Sequence, residues 1–254
     1  MSGRLAVIGL GPGDARYLTA QAQAALAAAD ALYGYASYLD RVPPRPGQSR
    51  HASDNRQEAA RAREALAQAA TGAKVALVSG GDPGVFAMAA AVCEEIAAGP
   101  PAWRALDLTI VPGVTAMLAV AARVGAPLGH DFCALSLSDN LKPWELIERR
   151  LEAAAKTGFV IALYNPLSRA RPWQLGRAFE RLRALLPPAT AVVFGRAIGR
   201  ADEHVAVTTL AAAMPDKADM ATLIIVGSPE THVLERPGRT PLVYTSRAAE
   251  GACP

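Results

Sequence analysis

Short, almost wholly apolar runs recur along the chain, separated by longer Ala-rich stretches of mixed polarity. Residues 4–9 (RLAVIG) read as a buried strand, 74–79 (KVALVS) as another apolar strand and 107–111 (DLTIV) as a third. Between them, Thr19 is placed to cap a helix over about 20–30, and "DALYGY" reads as a short strand. Asp54 with Gln57 resembles a capping box, opening a helix that ends near Gly72. A Gly-rich turn and a helix over 85–97 follow the strand at 74–79.

The second half repeats the style with less helix. "FCALSL" and "FVIALY" read as strands. Pro143 opens a helix with Glu145 and Glu148 early and Arg149, Arg150 and Lys156 late, an order that suits the helix dipole. Trp144, Ile147 and Leu151 share a core-facing stripe of that helix. Pro172 opens another helix, to about 186. "TAVVFG", "HVAVTT", "TLIIVG" and "PLVYT" follow with little helix between them, which predicts a partly antiparallel sheet. With a hinge at Pro112-Gly113, the expectation is two α/β domains, 1–112 and 113–246, and a tail at 247–254.

Composition narrows the chemistry. The 254 residues are 51% hydrophobic and 19% charged, a globular balance. The net charge of +3 is weak and the basic residues are dispersed, which argues against nucleic acid as a partner. The odd set Cys93, Cys133 and Cys253 gives no disulfide framework, and neither the cysteines nor the four histidines show metal-ligand spacing, so no metal is expected. No apolar run reaches the roughly 18 residues of a membrane span. Gly9, Gly11, Pro12 and Gly13 break the N-terminal apolar run, so no signal peptide is expected; a reducing cytoplasm fits.

The turns after the first-half strands carry the chemistry. "VIGLGPGD" (7–14) invites a dinucleotide reading, but its third glycine comes one place early and Asp14 would face a pyrophosphate. Asp30 has the spacing of a ribose acid but precedes its strand. No Gly-Lys-Ser/Thr follows, so there is no Walker loop. "SGGDPGVF" (79–86) and "VPGVTA" (111–116) follow two further strands. Three such turns would meet at one edge of a parallel sheet, where open α/β sheets bind ligands. Backbone groups with the Asp82 carboxylate and the Thr115 hydroxyl suit a ligand bearing ribose, adenine and an amino acid better than a polyphosphate.

These motifs, with "ADMATLIIVGS" (218–228), resemble in order those of the tetrapyrrole (corrin and sirohaem) methyltransferases, which use S-adenosylmethionine. Within that family, "YGYASYLD", "LSLSDNLKPWELIERRL" and "ALYNPLSRAR" are similar to the branch that methylates C17 of precorrin-3B and contracts its ring in cobalamin synthesis. The resemblance implies two α/β domains with an active-site trough between them, a homodimer and a tetrapyrrole substrate. It implies cofactor contacts for Pro12, Gly80, Gly81, Asp82, Thr115 and Ala116. Asn165 stands where relatives often carry Met, and Ala197, Met220 and Thr222 fall in segments that flank the adenosine.

Methyl transfer from a sulfonium needs mainly positioning. Ring contraction, which the resemblance adds, needs a hydroxyl to lose a proton and a lactone to open, hence acid/base help. The candidates are Asp14, Asp82, His130 and Asp139, each with a plain alternative: a helix cap for Asp14 and Asp82, a structural histidine, a loop acid. Tyr33 and Tyr35 are candidates to face the macrocycle, with core packing the alternative. Arg169, Arg171, Arg196 and Arg200 are candidate partners for its carboxylates, with solvated surface charge the alternative. Other readings are a cobalt-loaded precorrin, an rRNA or protein target, and a non-enzymatic sensor of S-adenosylmethionine.

Overall fold

The computed structural model describes residues 3–54, 56–168 and 170–248. The chain divides into two compact units, Met1–Thr115 and Ala116–Pro254.

The first unit contains β1 (Arg4–Gly9), α1 (Ala20–Ala28), β2 (Ala31–Tyr35), α2 (Ala36–Leu39), β3 (Ser49–Ser53), α3 (Glu58–Ala70), β4 (Lys74–Ser79), α4 (Met88–Ala98) and β5 (Asp107–Val111). Its five strands are all parallel, in the order β3-β2-β4-β1-β5. Successive side chains of a strand point to opposite faces, so the apolar run of β1 serves two cores. Leu5 and Val7 join Val75 and Leu77 beneath α3 and α4, around Ala62, Leu66 and Val92. Ala6 and Ile8 join Leu32, Ala76 and Val78 beneath α1 and α2, around Ala22, Leu26 and Leu39. Thr19 caps α1 by accepting from the Ala22 N–H at 3.1 Å. The box expected at Asp54 is half formed: the Asp54 N–H donates to Gln57 Oε1 at 3.1 Å, and α3 starts only at Glu58.

The second unit contains α5 (Ala116–Val124), β6 (Gly125–Ala126), β7 (Phe132–Ser136), α6 (Trp144–Lys156), β8 (Val160–Tyr164), α7 (Gln174–Arg183), β9 (Ala191–Arg196), β10 (His204–Thr209), β11 (Thr222–Val226), β12 (Thr231–Leu234) and β13 (Leu242–Thr245). The main sheet runs β10-β9-β11-β8-β7. It is mixed: β7 and β8 are parallel, while β11 is antiparallel to both β8 and β9, and β10 is antiparallel to β9. Ile147 and Leu151 of α6 and Leu175, Phe179 and Leu182 of α7 pack on Ile161, Leu163, Phe194 and Ile224 of this sheet. β12, β13 and β6 make a small second sheet.

Candidate functional site

In the first unit all five strands point the same way, so their C-terminal ends share one edge, and the three Gly/Pro turns meet there. The turns are bonded to one another. Gly11 and Gly81 exchange reciprocal backbone hydrogen bonds, Gly11 N to Gly81 O at 3.1 Å and Gly81 N to Gly11 O at 2.9 Å. Asp82 then joins the second turn to the third: Oδ1 accepts from the Gly84 N–H at 2.8 Å, and Oδ2 from the Gly113 N–H at 3.0 Å. Two glycines are required for this convergence. A Cβ on Gly113 would stand 2.3 Å from the Gly81 carbonyl oxygen, and Gly11 has φ +68°, in the left-handed region.

Pro12, Gly80, Gly81 and Asp82 therefore lie together, half-buried, with Thr115 buried at the end of the third turn. Asp14 caps a short turn at 15–17, accepting from the Arg16 N–H at 2.7 Å and pairing with the Arg16 guanidinium. The backbone and side chain of Arg16 hold its carboxyl below the ordinary value. Tyr33 is a correction: its ring is in the core, stacked on His51 with centroids 4.3 Å apart, and its hydroxyl donates to Gln68. Tyr35 ends β2 half-buried, edge-on to Tyr38. Asp30 accepts from the Lys74 N–H at the start of β4, at the edge opposite the turns, which removes it as a ribose ligand. The sequence reading passed over Arg41. Its Nη2 donates to the carbonyls of Leu10, Gly11 and Gly13, at 2.8, 2.9 and 2.9 Å.

In the second unit, the C-terminal ends of β7, β8 and β9 share an edge with the start of β11, because β11 runs the opposite way. That edge gathers Asp139, Asn165, Arg171, Arg196, Ala197, Arg200, Met220 and Thr222. Ala116 begins α5 at the same edge, where the Met117 N–H donates to the Tyr164 hydroxyl at 3.2 Å. Asn165 and Ala197 both adopt left-handed backbone, φ +51° and +50°, immediately after their strands. Asn165 Nδ2 donates to Ser136 Oγ at 2.9 Å. An open cavity of about 390 Å³ lies here, lined by Leu167, Ser168, Pro172, Asp219, Met220 and Ala221. The Ser168 hydroxyl is buried without a hydrogen-bond partner among the described residues.

Two of the candidate arginines are tied to the chain's own acids. Arg196 bonds Asp219 at 2.7 Å and Asp202 at 2.8 Å, and these acids, Asp219 first, raise the guanidinium above its ordinary value. Burial alone would raise the Asp219 carboxyl; the Thr222 hydroxyl, Arg196 and the Ala221 N–H outweigh it, so the group titrates below the ordinary carboxylate range. The Thr222 hydroxyl is thereby committed to Asp219 at 2.8 Å. Arg171 Nη1 donates to Oδ1 of both Asp139 and Asn140, and Gln174 Nε2 reaches the same Asp139 oxygen at 2.9 Å. Asp139 Oδ2 has no hydrogen-bond partner among the described residues. Arg171 and Arg196, candidate partners for a substrate's carboxylates, are thus each paired with the chain's own acids. Arg200 is exposed on the turn after Ala197, and Arg169 lies outside the described residues, as does Cys253.

His130 is a further correction. It precedes β7, beside Asp131 at 4.0 Å, and so lies at the opposite edge of its sheet from Asp139 and Asn165. Among the described residues, no group of three or more His, Cys, Asp or Glu is arranged to hold a metal ion, and no helix is long and apolar enough to cross a membrane. Burial pushes the Cys133 thiol up to about 11, which leaves it inert at neutral pH.

The model of the tetrapyrrole (corrin/porphyrin) methylases matches residues 4–213. The chain is 63% identical over 252 residues to the precorrin-3B C(17)-methyltransferase of Sinorhizobium sp, covering 99% of each. It is 40% identical over 244 residues to a probable cobalt-factor III C(17)-methyltransferase of Salmonella typhimurium, covering 95% of this chain and 99% of that protein. Among solved structures, that of the methyltransferase CobJ aligns with a TM-score of 0.91 at 47% identity, covering 96% of this chain and 100% of that one.

Proposed function

The chain belongs to the tetrapyrrole (corrin/porphyrin) methylase family, and from that premise we propose that it transfers a methyl group from S-adenosylmethionine to C17 of precorrin-3B, with contraction of the macrocycle, in cobalamin synthesis. The observation that carries the proposal is the lacing of three glycine turns at one sheet edge by Gly11–Gly81 and Asp82–Gly113 bonds. Asp14 and Asp82 place carboxylates in the first two turns, which makes these turns ill suited to a pyrophosphate. They fit a donor carrying ribose, adenine and an amino acid, with Pro12, Gly80, Gly81 and Thr115 against it. In the second unit, the cavity beside Met220, with the unpartnered Ser168 hydroxyl, has room for a flat heterocycle.

When bound, the donor supplies an electrophilic methyl, so the turns' task is to hold it still and exclude water. Asp82 shapes the turns and is not the proton carrier, since each of its oxygens already accepts a backbone N–H. Asp139 is the acid/base group in this proposal. Arg171 and Gln174 orient it through Oδ1, leaving Oδ2 to take the proton of the substrate hydroxyl. The electrons of that O–H bond become the carbonyl of the extruded acetyl; one ring C–C bond to that carbon migrates with its electron pair to the neighbouring carbon, closing the smaller ring, and displaces the lactone oxygen there as a carboxylate. Asp139→Asn should lower kcat by about 10²–10⁴-fold while S-adenosylhomocysteine still binds.

The deciding experiment is turnover of metal-free precorrin-3B with S-adenosylmethionine, followed by mass spectrometry. A gain of one methyl, with an acetyl on a contracted ring, is expected; no product, or methylation without contraction, overturns the proposal. The Salmonella relative's name motivates a parallel incubation with cobalt-loaded substrate; exclusive turnover there would move the chain to that branch. The weak net charge of +3 speaks against rRNA as the acceptor. We further propose a cytoplasmic homodimer, tested by light scattering for its size and by fractionation for its location.

A further inference from the structure

We infer that Arg41 is a positioning residue for the methyl donor: one guanidinium nitrogen sets the shape of the first glycine turn. The inference rests on the reading of these turns as the donor site. Three carbonyl oxygens, of Leu10, Gly11 and Gly13, converge on Nη2 within 2.8–2.9 Å. That nitrogen carries two hydrogens, so at least one is shared. Three carbonyl dipoles aimed at one point repel one another unless a cation stands there. The turn has no cation of its own, and the nearby Arg16 is engaged with Asp14. The charge comes from a residue 28 to 31 positions along the chain.

The same contact reaches the second turn. The Gly11 carbonyl accepts from Arg41 and from the Gly81 N–H together, so whatever turns that carbonyl also moves the Gly11–Gly81 pair. The segment carrying Arg41 is itself braced. Arg50 of β3 donates from Nη1 to the Val42 carbonyl at 2.9 Å. Tyr38, three residues before Arg41, packs its ring where a Cβ on Gly80 would come within 2.7–2.9 Å of it. Residues 38–42 therefore support both turns from behind. Through Nη2, committed to three carbonyls, Arg41 acts by way of the turn.

Arg41→Met and Arg41→Lys test this, with S-adenosylhomocysteine binding measured by calorimetry alongside donor KM and kcat. The Met variant should lose about tenfold or more in S-adenosylhomocysteine affinity, raise donor KM in parallel, and keep kcat at saturating donor within about threefold of the parent. Lys presents three hydrogens on one nitrogen and should recover most of that affinity. Wild-type affinity in the Met variant overturns the inference, as does a fall in kcat with affinity intact. Should the Met variant fail to fold by circular dichroism, the Lys variant decides: near-parental affinity supports a single-nitrogen anchor, and a loss of about tenfold or more overturns it. A parent chain that binds no S-adenosylhomocysteine sinks the donor reading itself, whereas a parent and Met variant that bind equally sink only the role of Arg41.

Discussion

Asp82 spends both carboxylate oxygens on backbone N–H groups of two different turns, which makes its removal a structural event. Hydrogen bonds to charged groups are worth roughly 1.5–3 kcal/mol each, and this residue is half-buried, so Asp82→Ala should cost about 2–3 kcal/mol in urea unfolding. It should also weaken S-adenosylhomocysteine binding, read by calorimetry. Asp82→Asn keeps one acceptor oxygen and should fall between. Gly113→Ala drives a methyl into the Gly81 carbonyl and should cost about 1–3 kcal/mol, checked the same way. In the second unit, Asp219 has a depressed pKa in the folded chain. Its contribution to stability is therefore complete above the ordinary carboxylate value of about 3.9 and is lost as pH falls through the lower folded value. Arg196→Met should remove part of that depression and move acid unfolding to higher pH, followed by circular dichroism.

At the level of elements, strands written as apolar runs were legible, the internal β1 and β4 and the edge strands β5 and β10 alike. β1, β4, β5 and β10 begin and end where the pattern predicts. β3 and β12 went unpredicted for the opposite reason: "SRHAS" and "THVL" lie at sheet edges and are largely solvated, so they carry no apolar run. The stripe of α6 was legible too, with Ile147 and Leu151 in the core and Trp144 against it. Trp144 has a cost invisible in its letter: its indole N–H is buried without a hydrogen-bond partner among the described residues. Trp144→Phe removes that donor and keeps a ring edge-on to Trp173, so it should be nearly neutral in chemical denaturation. Phe179→Ala, in the same core, should cost about 3–5 kcal/mol. For the candidate site, Gly and Pro announced the turns, because backbone demands appear in residue type. The ion pairs did not announce themselves: Arg171 meets Asp139 across 32 residues, and spacing says nothing of which acid a guanidinium will find. His130 and Asp139 flank the "FCALSL" strand in the sequence, and β7 accordingly separates them end to end.

At the level of the whole molecule, a net charge of +3 and turns whose one neighbouring guanidinium, Arg41, is spent on their carbonyls imply different salt responses for the two ligands. S-adenosylhomocysteine affinity should change less than about twofold between 0.05 and 0.5 M salt, whereas affinity for the polycarboxylate precorrin should fall as its charges are screened. Calorimetry for the first and fluorescence quenching for the second would separate them. The reciprocal Gly11–Gly81 pair and the Asp82–Gly113 bond have a bearing on how such a protein can be re-engineered or can diverge. A loop transplanted singly from a relative arrives without its stitching partners, so chimaeras exchanging one turn should be crippled. Chimaeras that exchange all three as a block, together with residues 35–42, should retain donor binding; the inheritable module is the sewn patch and not the individual motif.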